Sequence, residues 1–235
     1  EFPLGIFAVA VATTSLPDFA KLNINKKFGE FSSLLNSKIK FLFFLSTPCA
    51  VAFILLGEEI CSVLYLRGEF LYSDAILTSK ALGAYSVGLV FVGSIRVLTQ
   101  AFYAIKDTKT PVLLAGANLA TNIALCYLLG FYLDLGFYGL ALAASISAII
   151  LFFMLAMKLN SYLGQVNIYE IIRYFIIIVL ISLVSIYTSI LIVGSIGHIY
   201  SNLYVDLALV IIFSALFYFC LAKIIKLDEL KMIFE

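Results

Sequence analysis

Two polar side chains interrupt an apolar stretch near the middle of the sequence. Arg96 is the only charged residue between Ala81 and Ile105, and Gln100 follows it by four positions. Residues four apart share one face of an α-helix, so the guanidinium and the amide would point the same way. Such a pair could bind an anionic head group in a polar cavity. The alternatives are an arginine that reaches the aqueous interface along its long stem, or one that pairs with a neighbouring helix.

A second polar pair, Asn118 and Asn122, also has a spacing of four. Amides in an apolar helix are satisfied best by a partner helix, so we expect both to lie in a helix–helix contact. The polar segment 106–111 before them is predicted to be a solvated turn. Thr108 or Thr110 is expected to cap the helix that follows this turn.

Residues of catalytic or metal-binding type are few and widely spaced. His198 is the single histidine, and the closest pair of the four cysteines is twelve positions apart. Metal sites and redox motifs need closely spaced cysteine or histidine ligands. The sequence therefore predicts no metal, no cofactor, no disulfide and no enzyme chemistry. The carboxylate pairs Glu58–Glu59 and Asp228–Glu229 are expected at solvated edges of membrane spans.

The composition indicates that lipid surrounds most of these side chains. Of the 235 residues, 63% are hydrophobic and 12% are charged, and the mean hydropathy is +1.12. A soluble domain is about a quarter charged, so too little polar surface exists here to cover a globule in water. This excludes a cytosolic enzyme, a secreted disulfide-rich domain and a disordered regulator. The formal net charge of +1 excludes the basic surface that nucleic-acid binding needs.

Runs without charge predict membrane-spanning helices, because a bilayer core needs about 20 apolar residues and the alternation of barrel strands is absent. We predict an all-α polytopic membrane protein with seven transmembrane helices, the first of them truncated. The chain opens on Glu1 rather than on a methionine and a signal peptide, so we expect a piece of a longer protein. The predicted spans are 2–17, 41–57, 81–105, 111–133, 135–157, 174–194 and 207–222.

The distribution of lysine and arginine predicts the orientation of these spans. Over alternate loops, twelve basic residues lie on one side and two, Arg67 and Lys80, lie on the other. The positive-inside rule places the twelve in the cytoplasm. We therefore expect a cytoplasmic C-terminus, with the loop that contains His198 outside.

Three short motifs, in order along the chain, give a more specific indication. They are Glu1–Ala10 with Leu16–Pro17, Tyr65–Phe70 with Asp74–Ala75, and Ala101–Ala104 with Asp107 and Thr110–Val112. Together they resemble the eighth helix, the next outer loop and the tenth-to-eleventh helix junction of the MurJ/MviN family of lipid II flippases. The resemblance covers 1–112 by motif and 113–157 by helix pattern, whereas 158–235 fits only as two extra C-terminal helices.

The resemblance implies a fold of fourteen helices in two lobes, of the multidrug/oligosaccharidyl-lipid/polysaccharide exporter type. Residues 1–157 would be helices of the C-terminal lobe of the transporter core, and 158–235 would be two additional transmembrane helices. The implied function is flipping of lipid II, an undecaprenyl-diphosphate-linked muropeptide, to the outer leaflet of the bacterial cytoplasmic (inner) membrane by alternating access. The implied partners are lipid II, membrane lipids and the N-terminal lobe of the same protein.

The resemblance also implies two kinds of substrate contact. Glu1 would lie among the charges of the cavity between the lobes, where Arg96 and Gln100 are further candidates. The last two helices would border a hydrophobic groove for the lipid tail, although ordinary helix packing would explain the same small residues. The groove candidates by size are Ser182, Ser185, Ser189, Gly194, Ser214 and Ala215, of which Ser185 and Ser189 are preferred.

Three other functions stay open at this point. The first is a flippase or exporter of another polyprenyl-linked glycan, which half of a transporter does not distinguish from a lipid II flippase. The second is an integral-membrane enzyme acting on polyprenyl phosphates, which should carry acidic or His/Arg clusters in its loops. The third is a membrane scaffold without transport.

Overall fold

The computed structural model describes residues 5, 8–164, 166–196 and 202–230. Within these residues the regular elements are all helical. A π-helical segment, Cys126–Tyr132, continues the fifth helix, and a short 3₁₀ turn, Asp228–Leu230, follows the eighth. The helices are α1 (Val9–Ile24), α2 (Phe28–Leu55), α3 (Gly57–Tyr65), α4 (Tyr72–Ala104), α5 (Lys109–Leu125), α6 (Gly136–Leu163), α7 (Ile168–Ile196) and α8 (Leu203–Ile224).

The predicted all-α membrane architecture is confirmed. In the described part of the chain, α2, α4, α5 with its π-helical continuation, α6, α7 and α8 are long and apolar enough to cross a membrane. The helix at the position of the truncated first span is α1, with 16 residues. The helices are longer than the charge-free runs, because they also include charged residues at their ends. Lys38 and Lys40, for example, belong to α2, so α1 and α2 are joined by only three residues, 25–27.

The segment predicted as a long outer loop, 58–80, is instead largely helical. It contains α3 and the first turns of α4, and α3 buries Cys61 and Ser62 while packing against α4.

Glu229 also differs from expectation, with a relative exposure of 6%. The prediction of a solvated edge is wrong for Glu229, because the 3₁₀ turn folds back against α2.

The centre of the bundle is α4, which packs against α1, α2, α3 and α6. Four phenylalanines, Phe43, Phe91, Phe152 and Phe175, join α2, α4, α6 and α7 at ring-centroid distances of 5.2 to 6.1 Å. These separations suit edge-to-face and tilted aromatic pairs. The cluster therefore ties the C-terminal helix α7 to the core helices.

Small residues bring α4 and α6 into close contact. A Cβ atom on Gly88 would lie 2.7 Å from the Cα of Ser145, so only glycine fits there. The Ser145 hydroxyl donates to the carbonyl of Ala84 at 2.6 Å and accepts the Gly88 N–H at 3.1 Å. Small residues and interhelical hydrogen bonds are the usual means of helix association in lipid. The α4–α6 pair therefore forms a firm frame.

The contact of α5 with α6 contains the predicted amides. Asn122 donates through Nδ2 to the hydroxyl of Ser147 at 3.1 Å, so the predicted helix–helix contact is confirmed for this residue. Asn118 is half-buried, and its Oδ1 has no hydrogen-bond partner within the described chain.

The cap of α5 differs from the prediction. Asp107, rather than Thr108 or Thr110, accepts the backbone N–H groups of Lys109 and Thr110, at 3.1 and 3.0 Å. Hydrogen bonds from the hydroxyl and the N–H of Thr110 lower the pKa of the Asp107 carboxyl below its usual value. An aspartate reaches these N–H groups as well as a threonine does, and it adds a charge that suits a helix N-terminus.

Candidate functional site

One face of α4 remains open along the part of the helix from residue 85 to residue 103. Tyr85, Arg96 and Tyr103 are exposed on this face, at spacings of eleven and seven residues, which are about three and two helical turns. Gln100 is half-buried beside them. We call Tyr85, Arg96, Gln100 and Tyr103 the α4 strip. The structure thus places Arg96 and Gln100 together on one surface.

Arg96 lies deep within the span. It precedes the end of α4 at Ala104 by eight residues, a rise of about 12 Å. Within the described residues Arg96 forms no hydrogen bond or ion pair, so it does not pair with a neighbouring helix there. A guanidinium at this depth therefore keeps its donors for water, lipid head groups or a ligand.

The ion pairs of the described chain lie elsewhere, at the predicted cytoplasmic ends of the helices. Lys38 contacts Asp18 at 3.3 Å, joining α2 to α1, and Lys40 contacts Glu170 at the start of α7. These pairs link α2 to α1 and to α7 at one end of the bundle. Within the described ranges of the chain, none of them compensates the charge of Arg96.

An apolar groove of about 250 Å³ lies between α2, α7 and α8. Ile211 and Phe219 line it and are also exposed, so the groove opens at the outer surface of the helix bundle. Its wall includes Pro48 and Cys49 from α2, Ser182 and Ser185 from α7, and Ala215 and Tyr218 from α8. We call this cavity the α2/α7/α8 groove.

The serines of α7 satisfy their own hydroxyl groups. Ser182, Ser185 and Ser189 donate to the carbonyls of Ile178, Ile181 and Ser185, at 2.7, 2.7 and 2.8 Å. A hydroxyl turned back on its own helix presents little polarity to a neighbour. The serines of the groove wall therefore act as small residues that leave the groove apolar.

The other candidates are not all brought to the groove. Ser214 and Ala215 line it, whereas Ser189 is buried outside its wall. Gly194 lines a separate cavity of about 450 Å³ near Glu59 and Asp206. Glu1 lies outside the described residues.

A hydrogen bond in the groove wall joins Phe44 and Tyr218, which were not singled out from the sequence. The hydroxyl of Tyr218 donates to the backbone carbonyl of Phe44 at 2.6 Å, across 174 positions of sequence. The available signal was Pro48 within an apolar run, because a proline leaves the carbonyl four residues earlier without its helical donor. The sequence alone does not reveal which helix supplies the replacement.

Within the described residues, no group of three or more His, Cys, Asp or Glu side chains is arranged to hold a metal ion. The four cysteines are free thiols.

Comparison with known proteins gives one consistent result. The family model described as lipid II flippase MurJ matches residues 1–214. A probable lipid II flippase MurJ of Vibrio cholerae is 36% identical over 148 residues, which are 63% of this chain and 28% of that protein. One of Thermotoga maritima is 34% identical over 160 residues, 68% of this chain and 32% of that protein.

A solved structure agrees with the sequence comparisons. Lipid II flippase MurJ in an inward closed conformation superposes with a TM-score of 0.75 at 32% identity, over 97% of this chain and 45% of that one. The chain thus spans less than half the length of each of these proteins. The family match and the shared fold lead to one conclusion: this chain belongs to the lipid II flippase MurJ family.

Proposed function

We propose that the chain is the C-terminal lobe of a flippase that carries lipid II from the inner to the outer leaflet of the bacterial cytoplasmic membrane by alternating access. The observation that carries this proposal is the family match over residues 1–214, together with the superposition over 97% of the chain. The proposed activity is a transport step without covalent chemistry. Its proposed partners are lipid II, the surrounding lipids and an N-terminal lobe supplied by the rest of the same polypeptide.

The substrate's chemistry divides the task into two parts. A diphosphate with sugars and a peptide cannot cross hydrocarbon unaided, because transfer of charged groups out of water is very costly. It needs a polar path at the depth of the bilayer, typically between two halves of a carrier. The α4 strip supports such a path on this lobe. Arg96 offers a positive charge that has no partner in the part of the chain that the structure describes, and Gln100 offers an amide on the same surface.

The undecaprenyl tail has the opposite requirement. It is a long hydrocarbon that is stable in lipid or in an apolar channel open to lipid. The α2/α7/α8 groove supports the second arrangement, because its wall is apolar and its rim at Ile211 and Phe219 faces the lipid. We therefore propose that the head group follows the α4 strip while the tail lies in the groove.

The packing of the helices supports the proposed division into 1–157 and 158–235. The two C-terminal helices, α7 and α8, pack extensively against each other, and α7 docks on α2. The groove forms along this junction. On this proposal the C-terminal pair is an addition to the transporter core that handles the tail.

The proposed orientation places the C-terminus in the cytoplasm of a bacterial cell, in its inner membrane. It rests on the twelve-to-two distribution of lysine and arginine. Cysteines introduced at the exposed positions Thr108 and Glu69 should react with a membrane-impermeant maleimide from the inner and the outer side respectively. Labelling of both from the same side would contradict the helix count and the orientation together.

Two measurements test the function directly. The full-length protein should restore growth of a cell depleted of its lipid II flippase, and in vesicles it should make lipid II accessible to a reagent on the far side. Residues 1–235 alone should insert in the membrane but restore neither, because half of a two-lobed carrier has no opposing wall. Transport of a different polyprenyl-linked glycan, with no transport of lipid II, would show that the proposed substrate is wrong.

A further inference from the structure

A proline sits in the middle of α2 without ending it. Pro48 lies within Phe28–Leu55, and the helix continues for seven residues beyond it. Proline has no N–H, so the carbonyl of residue 44, four positions earlier, loses its helical donor. In lipid no water replaces that donor, and a backbone carbonyl left alone there is costly. The carbonyl of Phe44 therefore needs a donor from another part of the protein.

That donor comes from α8. The hydroxyl of Tyr218 donates to the Phe44 carbonyl at 2.6 Å, and Tyr218 has a relative exposure of 4%. The two aromatic rings also pack together, with centroids 5.1 Å apart. Tyr218 of α8 thus donates to the carbonyl that Pro48 leaves without a helical donor, and its ring packs against the ring of Phe44.

The bond lies in the wall of the α2/α7/α8 groove. Phe44, Pro48 and Tyr218 all line that groove. One turn before Tyr218, Ser214 lines it too, and the Ser214 hydroxyl has no hydrogen-bond partner within the described chain. Within the described residues, the Tyr218 hydroxyl is therefore the polar group that bridges the α2 and α8 walls of the groove.

We propose that Tyr218 is a positioning residue of the transporter. By donating to the carbonyl that Pro48 leaves free, it holds α8 against α2 and fixes the width of the groove. Pro48 and Tyr218 then act as one unit, because the hydroxyl is needed only where the proline has removed the backbone donor. The role in transport rests on the proposed function, whereas the structural role of the bond does not.

A double-mutant cycle in the full-length protein tests this unit. The variants are Tyr218→Phe, which keeps the ring and removes the hydroxyl, and Pro48→Ala, which restores the N–H to the Phe44 carbonyl. Their combination completes the cycle. Pro48→Gly serves as a second restoring variant that keeps the backbone easy to bend. Tyr187→Phe is the matched control, since Tyr187 on α7 has a relative exposure of 61%.

Two readouts are taken for each variant: the midpoint of thermal unfolding in nanodiscs and the initial rate of lipid II translocation in vesicles. Tyr218→Phe should lower the midpoint and reduce the rate roughly three- to tenfold, as expected for an interhelical hydrogen bond in a membrane protein. In the Pro48→Ala or Pro48→Gly background, the same change should have no further effect. Tyr187→Phe should leave both readouts unchanged.

An equal loss from Tyr218→Phe in every background, or no loss in any, would overturn the proposal. A cycle that is non-additive in the melting midpoint but additive in the rate would limit Tyr218 to stability and contradict its part in transport. If the wild-type protein moves no lipid II, the proposed function fails. The melting cycle still decides whether Pro48 and Tyr218 form a unit.

Discussion

The α4 strip and the α2/α7/α8 groove differ in almost every physical property. The strip is an open surface that presents a charge, Arg96, and an amide, Gln100. The groove is a recess of about 250 Å³ in which the serines of α7 turn their hydroxyls back on their own helix. The first surface suits a polar ligand in water, and the second suits a hydrocarbon chain.

The two regions also depend on different parts of the chain. The strip belongs to the central helix of the bundle, held by α1, α2, α3 and α6. The groove exists only where the C-terminal pair docks on α2. A carrier of an amphiphile needs both surfaces, and their separation suggests that one can be altered without destroying the other. The following predictions use that independence.

The largest effect is expected at Arg96. In the full-length protein, Arg96→Ala should reduce lipid II translocation roughly ten- to hundredfold, the usual consequence of losing a charge-assisted contact. Arg96→Lys should lose less, since lysine keeps the charge but not the bidentate geometry. Arg173→Ala is the control, because Arg173 is exposed near the predicted cytoplasmic end of α7. Full activity of Arg96→Ala would contradict a role in substrate binding and would favour an arginine whose side chain extends to the aqueous interface.

A smaller effect is expected when the groove is filled. Ala215 lines the groove and is exposed, so Ala215→Trp should place an indole in it without disturbing the core. We expect about a tenfold loss of translocation with a normal melting midpoint, the cost of roughly 1.4 kcal/mol of lost tail binding. Leu216→Trp is the matched control, since Leu216 has a relative exposure of 56% and lies outside the groove wall. Equal loss in both variants, or in neither, would remove the groove from the transport path.

The cap of α5 should affect stability rather than either region. Asp107→Ala should cost about 1 kcal/mol, as for other N-terminal caps. Because the pKa of Asp107 is lowered in the fold, its contribution is present above the ordinary carboxyl pKa and is lost as the pH falls through the folded-state pKa. Chemical denaturation at pH 7 and at pH 3 measures this difference. Asp107→Asn keeps the cap but removes the titrating carboxyl, so the pH dependence of stability should disappear. If the Asp107→Asn variant keeps the same pH dependence, another group causes it.

The smallest effect is expected at the α5–α6 contact. Asn122→Ala removes a hydrogen bond to Ser147, and such bonds in membrane proteins average about 0.6 kcal/mol. The loss should be non-additive with Ser147→Ala in a thermal melt. Translocation should stay near the wild-type rate in both variants. Additive losses would show that the two side chains do not depend on each other.

Much of the architecture followed from simple properties of the sequence. Runs without charge located the spans because hydrocarbon excludes charge over a fixed thickness. The helix ends were not predictable this way, since Lys38 and Lys40 lie on α2 outside the charge-free run 41–57. The helix α3 was not predicted because Glu58 and Glu59 lie in its first turn. Two adjacent charged residues after an apolar run are typical of a solvated loop, and the sequence does not show that α3 packs against α4.

The site was predictable only where neighbours in sequence are neighbours in space. Arg96 and Gln100 share a face because the α-helical repeat requires it. A groove along the last two helices was expected only from the family resemblance, with Ser185 and Ala215 among the candidates by size, and the contribution of α2 to its wall was not predicted. Pro48 and Tyr218 meet through tertiary packing between distant segments. The spacing of residues along the sequence does not predict this contact between α2 and α8.

A photo-crosslinking measurement tests the separation of head and tail most directly. The photoreactive residue p-benzoylphenylalanine is placed at Gln100 or at Ala215 of the full-length protein, which is then illuminated with lipid II in nanodiscs. Mass spectrometry of the attached fragments identifies the captured part of the substrate. We predict the sugar–peptide part at position 100 and the prenyl chain at position 215. Capture of the same part at both positions, or of other lipids in its place, would contradict the division of labour between the α4 strip and the α2/α7/α8 groove.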